Sequence, residues 1–172
     1  MKKIILVGYM GSGKSLIGKL LSEKTEYFFS DLDKIIEERT HLTIKKLFET
    51  KGELYFRKLE NEIFTALLES NQDTIISTGG GTPCYFDNYK MLNNKDNISI
   101  YLNASIDTLY NRLIDQKARR PLLTNQSDEE FKTFIAKHLF DRSFFYNQAK
   151  HRIDVNDKSP EEIANEIIPL LT

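Results

Sequence analysis

The stretch Gly8-Tyr9-Met10-Gly11-Ser12-Gly13-Lys14-Ser15 decides the fold of this 172-residue chain. It matches the pattern G-x-x-x-x-G-K-[ST], in which glycines let the backbone wrap around phosphate groups and the lysine adds a full positive charge. The apolar run Lys3–Gly8 predicts a buried strand before it, and apolar residues at helical spacing predict a helix over Lys14–Lys24 after it. A nucleoside triphosphate site is therefore expected at the start of this helix, where backbone N–H groups favour anions.

The rest of the chain continues this alternation of strands and helices. Four further segments have the short apolar pattern of strands: Tyr27–Phe29, Thr74–Thr78, Ile98–Leu102 and Arg152–Val155. Helices are predicted between them, with a break at Gly52. This order is typical of an α/β protein whose parallel sheet is covered on both faces. We expect a three-layer α/β/α fold around a five-stranded parallel sheet, with ligands beyond the carboxyl ends of the strands.

Composition narrows the class of protein. The length suits a single domain over residues 1–172, and the net charge of −1 argues against a nucleic-acid or anionic-membrane partner. The single cysteine, Cys84, excludes a disulfide framework and fits the reducing cytoplasm. The apolar runs are short, and the N-terminus lacks the longer apolar region of a signal peptide. We therefore expect a cytoplasmic protein with no membrane partner.

Two carboxylates follow the second predicted strand. Asp31 and Asp33 lie two residues apart, so in a strand-like segment their side chains face the same side. One of them could hold magnesium through water while the other accepts a hydrogen bond from an alcohol and takes its proton. Either aspartate could equally be the N-cap of the helix that follows.

Arginine is the scarcer cation, since only seven of the 24 basic residues are Arg. A planar, two-pronged donor is therefore more informative here than a lysine. Arg57 lies three residues before Glu60 in a predicted helix, where it either grips an anionic substrate or pairs with Glu60 on the helix surface. Arg119 and Arg120 lie in a loop without apolar periodicity, which is either a lid over the phosphates or a solvated basic loop.

Three consecutive glycines, Gly79-Gly80-Gly81, end the third predicted strand. Such a run is costly in chain entropy, so its expected use is to let a ligand approach the backbone, with a plain turn as the alternative.

A GTP-driven switch is disfavoured because none of the eight glycines follows an Asp by three residues. Asn94-Lys95-Asp96-Asn97 also lacks the final carboxylate that reads guanine. A small-molecule kinase is favoured.

Together these motifs resemble the shikimate kinase family, in the nucleoside-monophosphate-kinase-like branch of P-loop proteins. The matching segments follow the family's order: Gly8–Ser15, Asp31-Leu32-Asp33, Gly52-Glu53 with Phe56-Arg57 and Glu60, Thr78–Gly81, Arg120–Leu123, and Arg142 with Tyr146. Gluconate kinase shares the loop and the fold but not this combination, and it is the alternative. The resemblance implies ATP-dependent phosphorylation of the shikimate 3-hydroxyl, giving shikimate 3-phosphate and ADP on the route to chorismate and the aromatic amino acids.

The resemblance also implies roles for individual residues. Lys14, Asp33 and Arg120 would be catalytic, and Ser15 and Asp31 would hold Mg²⁺. The substrate would be bound by Asp33, Arg57, Gly79, Gly80, Gly81 and Arg142. ATP would be bound by Gly11, Ser12, Gly13, Lys14, Ser15, Leu16, Arg112, Arg120 and Lys158. Residues 33–62 would form substrate-binding helices and residues 112–128 a lid. We expect a monomer that binds ATP and shikimate.

Overall fold

The computed structural model describes residues 1–94, 96–117 and 127–171. Its strands are β1 Lys3–Val7, β2 Phe28–Asp31, β3 Thr74–Ser77, β4 Asn97–Asn103 and β5 His151–Asp154. Its α-helices are α1 Lys14–Lys24, α2 Leu32–Thr40, α3 Ile44–Glu69, α4 Asn88–Met91, α5 Ile106–Lys117, α6 Asp128–Tyr146 and α7 Pro160–Ile167. Short 3₁₀ turns cover Thr82–Cys84 and Ile168–Leu171.

The five strands form one parallel sheet in the order β2-β3-β1-β4-β5. Parallel crossovers are right-handed, so connections that run in opposite directions along the sheet lie on opposite faces. The connection from β1 to β2 runs one way and those from β2 to β3 and from β3 to β4 run the other, which places α1 and α3 on opposite faces. Helix α7 packs against α1, and α6 packs against α5. The predicted three-layer α/β/α fold is confirmed.

The core lies on both faces of the central strand. Ile4, Ile5, Leu6 and Val7 of β1 are all fully buried, as expected for a strand covered by helices on two sides. Leu6 lies between Ser77 of β3 and Ile100 of β4 in register. Because β1 is central, the loop that follows it meets the loop that follows β3 at the carboxyl edge of the sheet.

The predicted elements all occur, with shifted ends. Strand β2 extends to Asp31, and Asp31 also caps α2 by accepting a hydrogen bond from the backbone N–H of Lys34 at 3.3 Å. Helix α6 ends at Tyr146, earlier than its apolar pattern indicates. Helix α7 begins with a capping box between Ser159 and Glu162, as predicted. The four-residue helix α4 was not predicted, because one turn carries no periodic signal.

The predicted lid over residues 112–128 is largely outside the described residues, Arg119 and Arg120 included. Residues 112–117 form the last turns of α5 and residue 128 opens α6, so the ends of the predicted lid are helical rather than loop. None of the helices in the described ranges combines the length and the hydropathy that a bilayer crossing requires.

The break in α3 lies at Gly52, as predicted. Its backbone has φ 82° and ψ 168°, a conformation that is essentially restricted to glycine, and it redirects the chain before Glu53 and Arg57. A Cβ at this position would meet nothing within 4 Å, so any effect of a side chain here is conformational rather than steric.

We expect Gly52→Ala to lower the free energy of unfolding by about 1–3 kcal/mol, because alanine is strained in this conformation. Urea unfolding followed by circular dichroism measures the change. Lys51→Ala is the matched control, since Lys51 is exposed and lies in the helical segment just before the break. Equal stability of the two variants would contradict the assigned role of Gly52.

Candidate active site

Loops after β1, β2 and β3 surround a cavity of about 650 Å³ at the carboxyl edge of the sheet. The loop after β1 supplies the phosphate-loop pattern, the start of α2 supplies two aspartates, and the loop after β3 supplies Gly80. The lining residues are Met10, Gly11, Ser12, Gly13, Lys14, Ser15, Leu16, Ile17, Asp31, Asp33, Lys34, Ser77, Thr78, Gly80, Arg112, Lys158, Pro160 and Ile163. The topology thus joins motifs that are far apart in the sequence.

The phosphate loop has the backbone that its sequence predicts. Gly8, Gly11 and Gly13 all have positive φ, which lets the chain curl ahead of α1. The ammonium of Lys14 donates to the carbonyl oxygens of Gly8 at 2.7 Å and Tyr9 at 3.1 Å. Burial lowers the pKa of Lys14 to about 8, against the opposing influence of nearby Asp33 and Asp31. An anion in the cavity would raise the pKa of this lysine again, since it favours the charged form.

Hard oxygen groups meet beside the start of α1. The hydroxyl of Ser15 donates to Asp31 Oδ2 at 2.5 Å and lies 3.3 Å from the hydroxyl of Ser77. Asp31 and Ser77 are paired in register at the ends of β2 and β3. In the described residues, no group of three or more His, Cys, Asp or Glu side chains could hold a metal. A hydroxyl and one carboxylate suit Mg²⁺, which takes most of its ligands from phosphates and water.

Asp33 reaches the cavity by a different route from the one predicted. It lies in the first turn of α2 rather than in a strand, so the two-residue alternation does not apply, yet both aspartates line the cavity. Burial, together with the negative charges of Glu60 and Asp31, raises the pKa of Asp33 to about 6. A carboxyl with a pKa near neutrality is suited to accept a proton at physiological pH.

The glycine run brings charged side chains against bare backbone. A Cβ on Gly79 would lie 3.0 Å from Glu60 Oε2 and 3.1 Å from Asp33 Oδ1. A Cβ on Gly80 would lie 3.2 Å from Arg142 Nη1, and one on Gly81 would lie 2.7 Å from Arg57 Nη2. Protein side chains therefore approach all three glycines, and Gly80 also lines the cavity.

Arg57 pairs with Glu60 in a buried position, which is one of the two alternatives left open by the sequence. Its Nη1 donates to Glu60 Oε1 at 3.0 Å, and its guanidinium lies over the ring of Tyr85 at 4.1 Å. Glu60 is fully buried and also accepts from the hydroxyl of Thr82 at 2.8 Å. Burial raises the pKa of Glu60, while Arg57 and Thr82 oppose that rise. The buried Nε of Arg57 makes no hydrogen bond among the described residues and lies 3.5 Å from Glu53 Oε1, in a second ion pair.

Arg142 approaches the same loop from α6. Its guanidinium lies 5.6 Å from the centre of the Tyr9 ring. One turn further along α6, the hydroxyl of Tyr146 donates to the carbonyl oxygen of Gly80 at 2.5 Å. Arg57, Arg142 and the Asp33 carboxyl therefore contact one three-residue turn from different elements.

The far end of the cavity is formed by α5, α7 and the turn between β5 and α7. Arg112 Nη1 donates to the carbonyl oxygens of Gly11 at 3.1 Å and Ser12 at 3.3 Å. Lys158 pairs with Glu166 at 2.8 Å and lines the cavity next to Pro160 and Ile163. This end has the mixed apolar and cationic lining that a heterocyclic base accepts.

Most of the residues selected from sequence thus lie in one region. The six residues of Gly11–Leu16, together with Asp31, Asp33, Gly80, Arg112 and Lys158, line the cavity. Arg57, Gly79, Gly81 and Arg142 form the wall around the glycine run rather than the cavity lining. Arg120 lies outside the described residues. The sequence predictions assigned no site role to the cavity residues Ser77, Thr78, Pro160 and Ile163, which the topology brings to the site.

Comparison with known proteins agrees with this architecture. The family model described as Shikimate kinase matches residues 10–172. The chain is 54% identical to a shikimate kinase of Flavobacterium johnsoniae, over 99% of both chains. A crystal structure of shikimate kinase from Bacteroides thetaiotaomicron superposes with a TM-score of 0.89 at 37% identity, covering 99% of this chain and 98% of that one. A shikimate kinase from Acinetobacter baumannii, in complex with shikimate, superposes with a TM-score of 0.87 at 31% identity, covering 99% and 93%. The chain belongs to the shikimate kinase family.

Proposed function

We propose that this chain transfers the γ-phosphoryl group of ATP to the 3-hydroxyl of shikimate, giving shikimate 3-phosphate and ADP. The observation that carries the proposal is the convergence of Asp33, Arg57 and Arg142 on Gly79–Gly81, directly beside the phosphate loop. A carboxylate and two guanidinium groups match an acceptor that carries both hydroxyl groups and a carboxylate.

The acceptor side of the site is built to hold a carboxylate. Arg57 is held in place by Glu60 and by the Tyr85 ring, so its guanidinium is presented in a fixed direction. A charge-assisted hydrogen bond in such a buried position contributes about 1.5–3 kcal/mol. Arg142, on the other side of the glycine run, supplies the second cation. The acceptor's hydroxyl groups are then oriented toward Asp33.

Asp33 is the proposed base for the attacking hydroxyl. It accepts a hydrogen bond from that hydroxyl and takes its proton as the oxygen attacks phosphorus, while Lys14 neutralises charge on the transferred group. Gly11–Leu16 would surround the phosphates of ATP. Arg112 and Lys158 lie at the end of the cavity where the adenine ring would bind. Arg120 is proposed to contact both ligands, and residues 112–128 with Arg120 are proposed as the lid.

Mg²⁺ is the proposed cofactor, held by the Ser15 hydroxyl and, through water, by Asp31. When bound it would neutralise charge on the phosphate oxygens. The close contact between Ser15 and Asp31 supports this assignment, since it presents two hard oxygen ligands at the start of α1.

The groups around Gly79–Gly81 come from α2, α3 and α6 of one chain, so a monomer holds the proposed acceptor site. The ATP requirement and the single cysteine support the expected cytoplasmic location. Residues 33–62 include Asp33, Arg57 and Glu60, which supports their proposed role as the substrate-binding helices.

An acceptor panel tests the proposed function. ADP release from MgATP is expected with shikimate, and a rate at least about tenfold lower is expected with shikimate methyl ester. The ester lacks the negative charge and the second equivalent oxygen with which a carboxylate would pair with Arg57 and Arg142. Gluconate and adenosine monophosphate serve as further acceptors. Faster turnover of gluconate than of shikimate would establish the alternative kinase and contradict the proposal.

Lys14→Ala provides the chemical control in the same assay, with Lys19→Ala as its matched partner. Lys14 is buried in the phosphate loop, whereas Lys19 is exposed on the same helix. Removing a group that stabilises transition-state charge costs about 2.7–4 kcal/mol, roughly 100- to 1,000-fold in kcat. Lys19→Ala is expected to retain wild-type turnover.

The pKa of Asp33 gives a second prediction. In the ligand-free chain, carboxyl ¹³C NMR should give an Asp33 pKa of about 6 rather than its ordinary 3.8, because burial and the charge of Glu60 disfavour the carboxylate. Asp33 is then mostly protonated below this pH and cannot act as base, so the fraction of competent enzyme falls as the solution becomes more acidic. Glu60→Gln should lower the pKa of Asp33.

Glu62→Gln is the control for this titration. Glu62 lies on the same helix, but its side chain is 61% exposed and pairs with Arg39 at 2.6 Å. The Asp33 pKa should not move in this variant. An Asp33 pKa near 3.8 in the wild-type chain would remove the electrostatic argument for its role as base.

A further inference from the structure

Tyr9 links the phosphate loop to the acceptor side of the site. It lies inside the glycine-rich stretch and is 1% exposed. Its carbonyl oxygen accepts from the Lys14 ammonium at 3.1 Å and from the backbone N–H of Ser12 at 3.1 Å. Its ring is the surface over which the Arg142 guanidinium lies, 5.6 Å from the ring centre. The position of Tyr9 therefore affects Lys14 on the nucleotide side of the site and Arg142 on the acceptor side.

A stripe of side chains on α6 holds this arrangement from the other side. His138, Arg142 and Tyr146 are spaced four residues apart, so they project from one face of the helix. The Nδ1 atom of His138 lies 3.2 Å from the phenol oxygen of Tyr9. Tyr146 donates to the carbonyl oxygen of Gly80 at 2.5 Å. Arg142 lies between two anchors, of which one contacts the phosphate loop and the other the glycine run.

The hydrogen bond between Tyr9 and His138 is held by its surroundings. The Phe134 ring lies 4.3 Å from the His138 ring, centre to centre, and restricts its orientation. Burial and the charge of Arg142 lower the pKa of His138, so the neutral imidazole is favoured beside this guanidinium. Either tautomer of a neutral imidazole can hydrogen-bond a phenol, as donor or as acceptor at Nδ1.

We propose that His138 is a positioning residue that acts through Tyr9 and joins the phosphate loop to the Arg142 side of the acceptor site. The proposal rests on the proposed function and extends it to a side chain that touches neither substrate. Without the hydrogen bond, the Tyr9 ring loses its link to His138, which bears on the surface under Arg142 and, through the backbone of the same residue, on the carbonyl that holds Lys14. Both the acceptor and the nucleotide sides of the site are then affected.

Tyr9→Phe and His138→Leu test the proposal, alone and combined. Each is expected to lower kcat/KM for shikimate and to weaken ADP binding, measured by calorimetry without shikimate, by about three- to tenfold. The double variant should be no worse than either single variant, because both remove the same bond. His138→Asn should restore at least half of the wild-type values, since its amide can occupy the place of Nδ1, whereas His138→Gln reaches the place of Nε2 and should not.

Tyr110→Phe is the matched control. Tyr110 is also a largely buried tyrosine against α6, packed on Phe131 with its hydroxyl bonded to Asp128, at the opposite end of the helix. It should stay within about twofold of wild type in both readings, as expected for a bond far from the site. Wild-type values for Tyr9→Phe, a change in only one reading, or multiplying losses in the double variant would each overturn the proposal.

The proposed function fails separately from this inference. Absence of shikimate turnover in the wild-type chain would refute the proposed function, while the ADP measurements would still decide whether Tyr9 and His138 position the phosphate loop.

Discussion

The close approach of charged side chains to Gly79–Gly81 is the constraint on which the acceptor side of this site depends. Three successive residues without Cβ atoms admit Asp33 and Glu60, then Arg142, then Arg57, each 2.7–3.2 Å from where a Cβ atom would lie. A side chain at any of the three positions would displace one of these groups. The loop after β3 thus fixes where these charged side chains can pack. Because β3 lies next to β1 in the sheet, this loop lies beside the phosphate loop.

Glu60 links the charges of the two side chains on either side of it, Arg57 and Asp33. Glu60 neutralises Arg57 from the buried side, and the same carboxylate raises the pKa of Asp33 from the other. A buried ion pair costs desolvation energy. Here the pair between Glu60 and Arg57 fixes the direction of the Arg57 guanidinium. The lowered pKa of Lys14 and the raised pKa of Asp33 have burial as their common main cause. In the ligand-free site, burial thus disfavours the charged forms of both Lys14 and Asp33.

The sequence was most informative about features that are formed by residues adjacent in the chain. The phosphate loop, the break at Gly52 and the capped start of α7 were predictable because the residues that form each feature are adjacent in the chain. Asp31 and Asp33 were selected correctly as cavity residues on a mistaken local geometry, since the strand ends at Asp31 and the helix begins there. For Arg57, the structure shows the ion pair with Glu60, which is one of the two alternatives that the sequence left open.

Contacts between distant segments were not predictable. Tyr9 and His138 are 129 residues apart, and Tyr146 meets Gly80 across 66 residues. The spacing of His138, Arg142 and Tyr146 is visible in the sequence, but it carries no sign of what this face of α6 contacts. The same holds for Ser77 and Thr78, which enter the cavity only because β3 lies beside β1.

The kinetics of Gly81→Ala test whether close packing against the glycine run positions Arg57 for the acceptor. Gly81 has φ −96° and ψ −10°, which alanine adopts without strain, so the only change is a Cβ placed 2.7 Å from Arg57 Nη2. Arg57 is packed by Tyr85 and Glu60 and cannot retreat without losing those contacts. We predict a loss of about ten- to hundredfold in kcat/KM for shikimate, with the affinity for ADP unchanged. Wild-type kcat/KM in this variant would contradict the account.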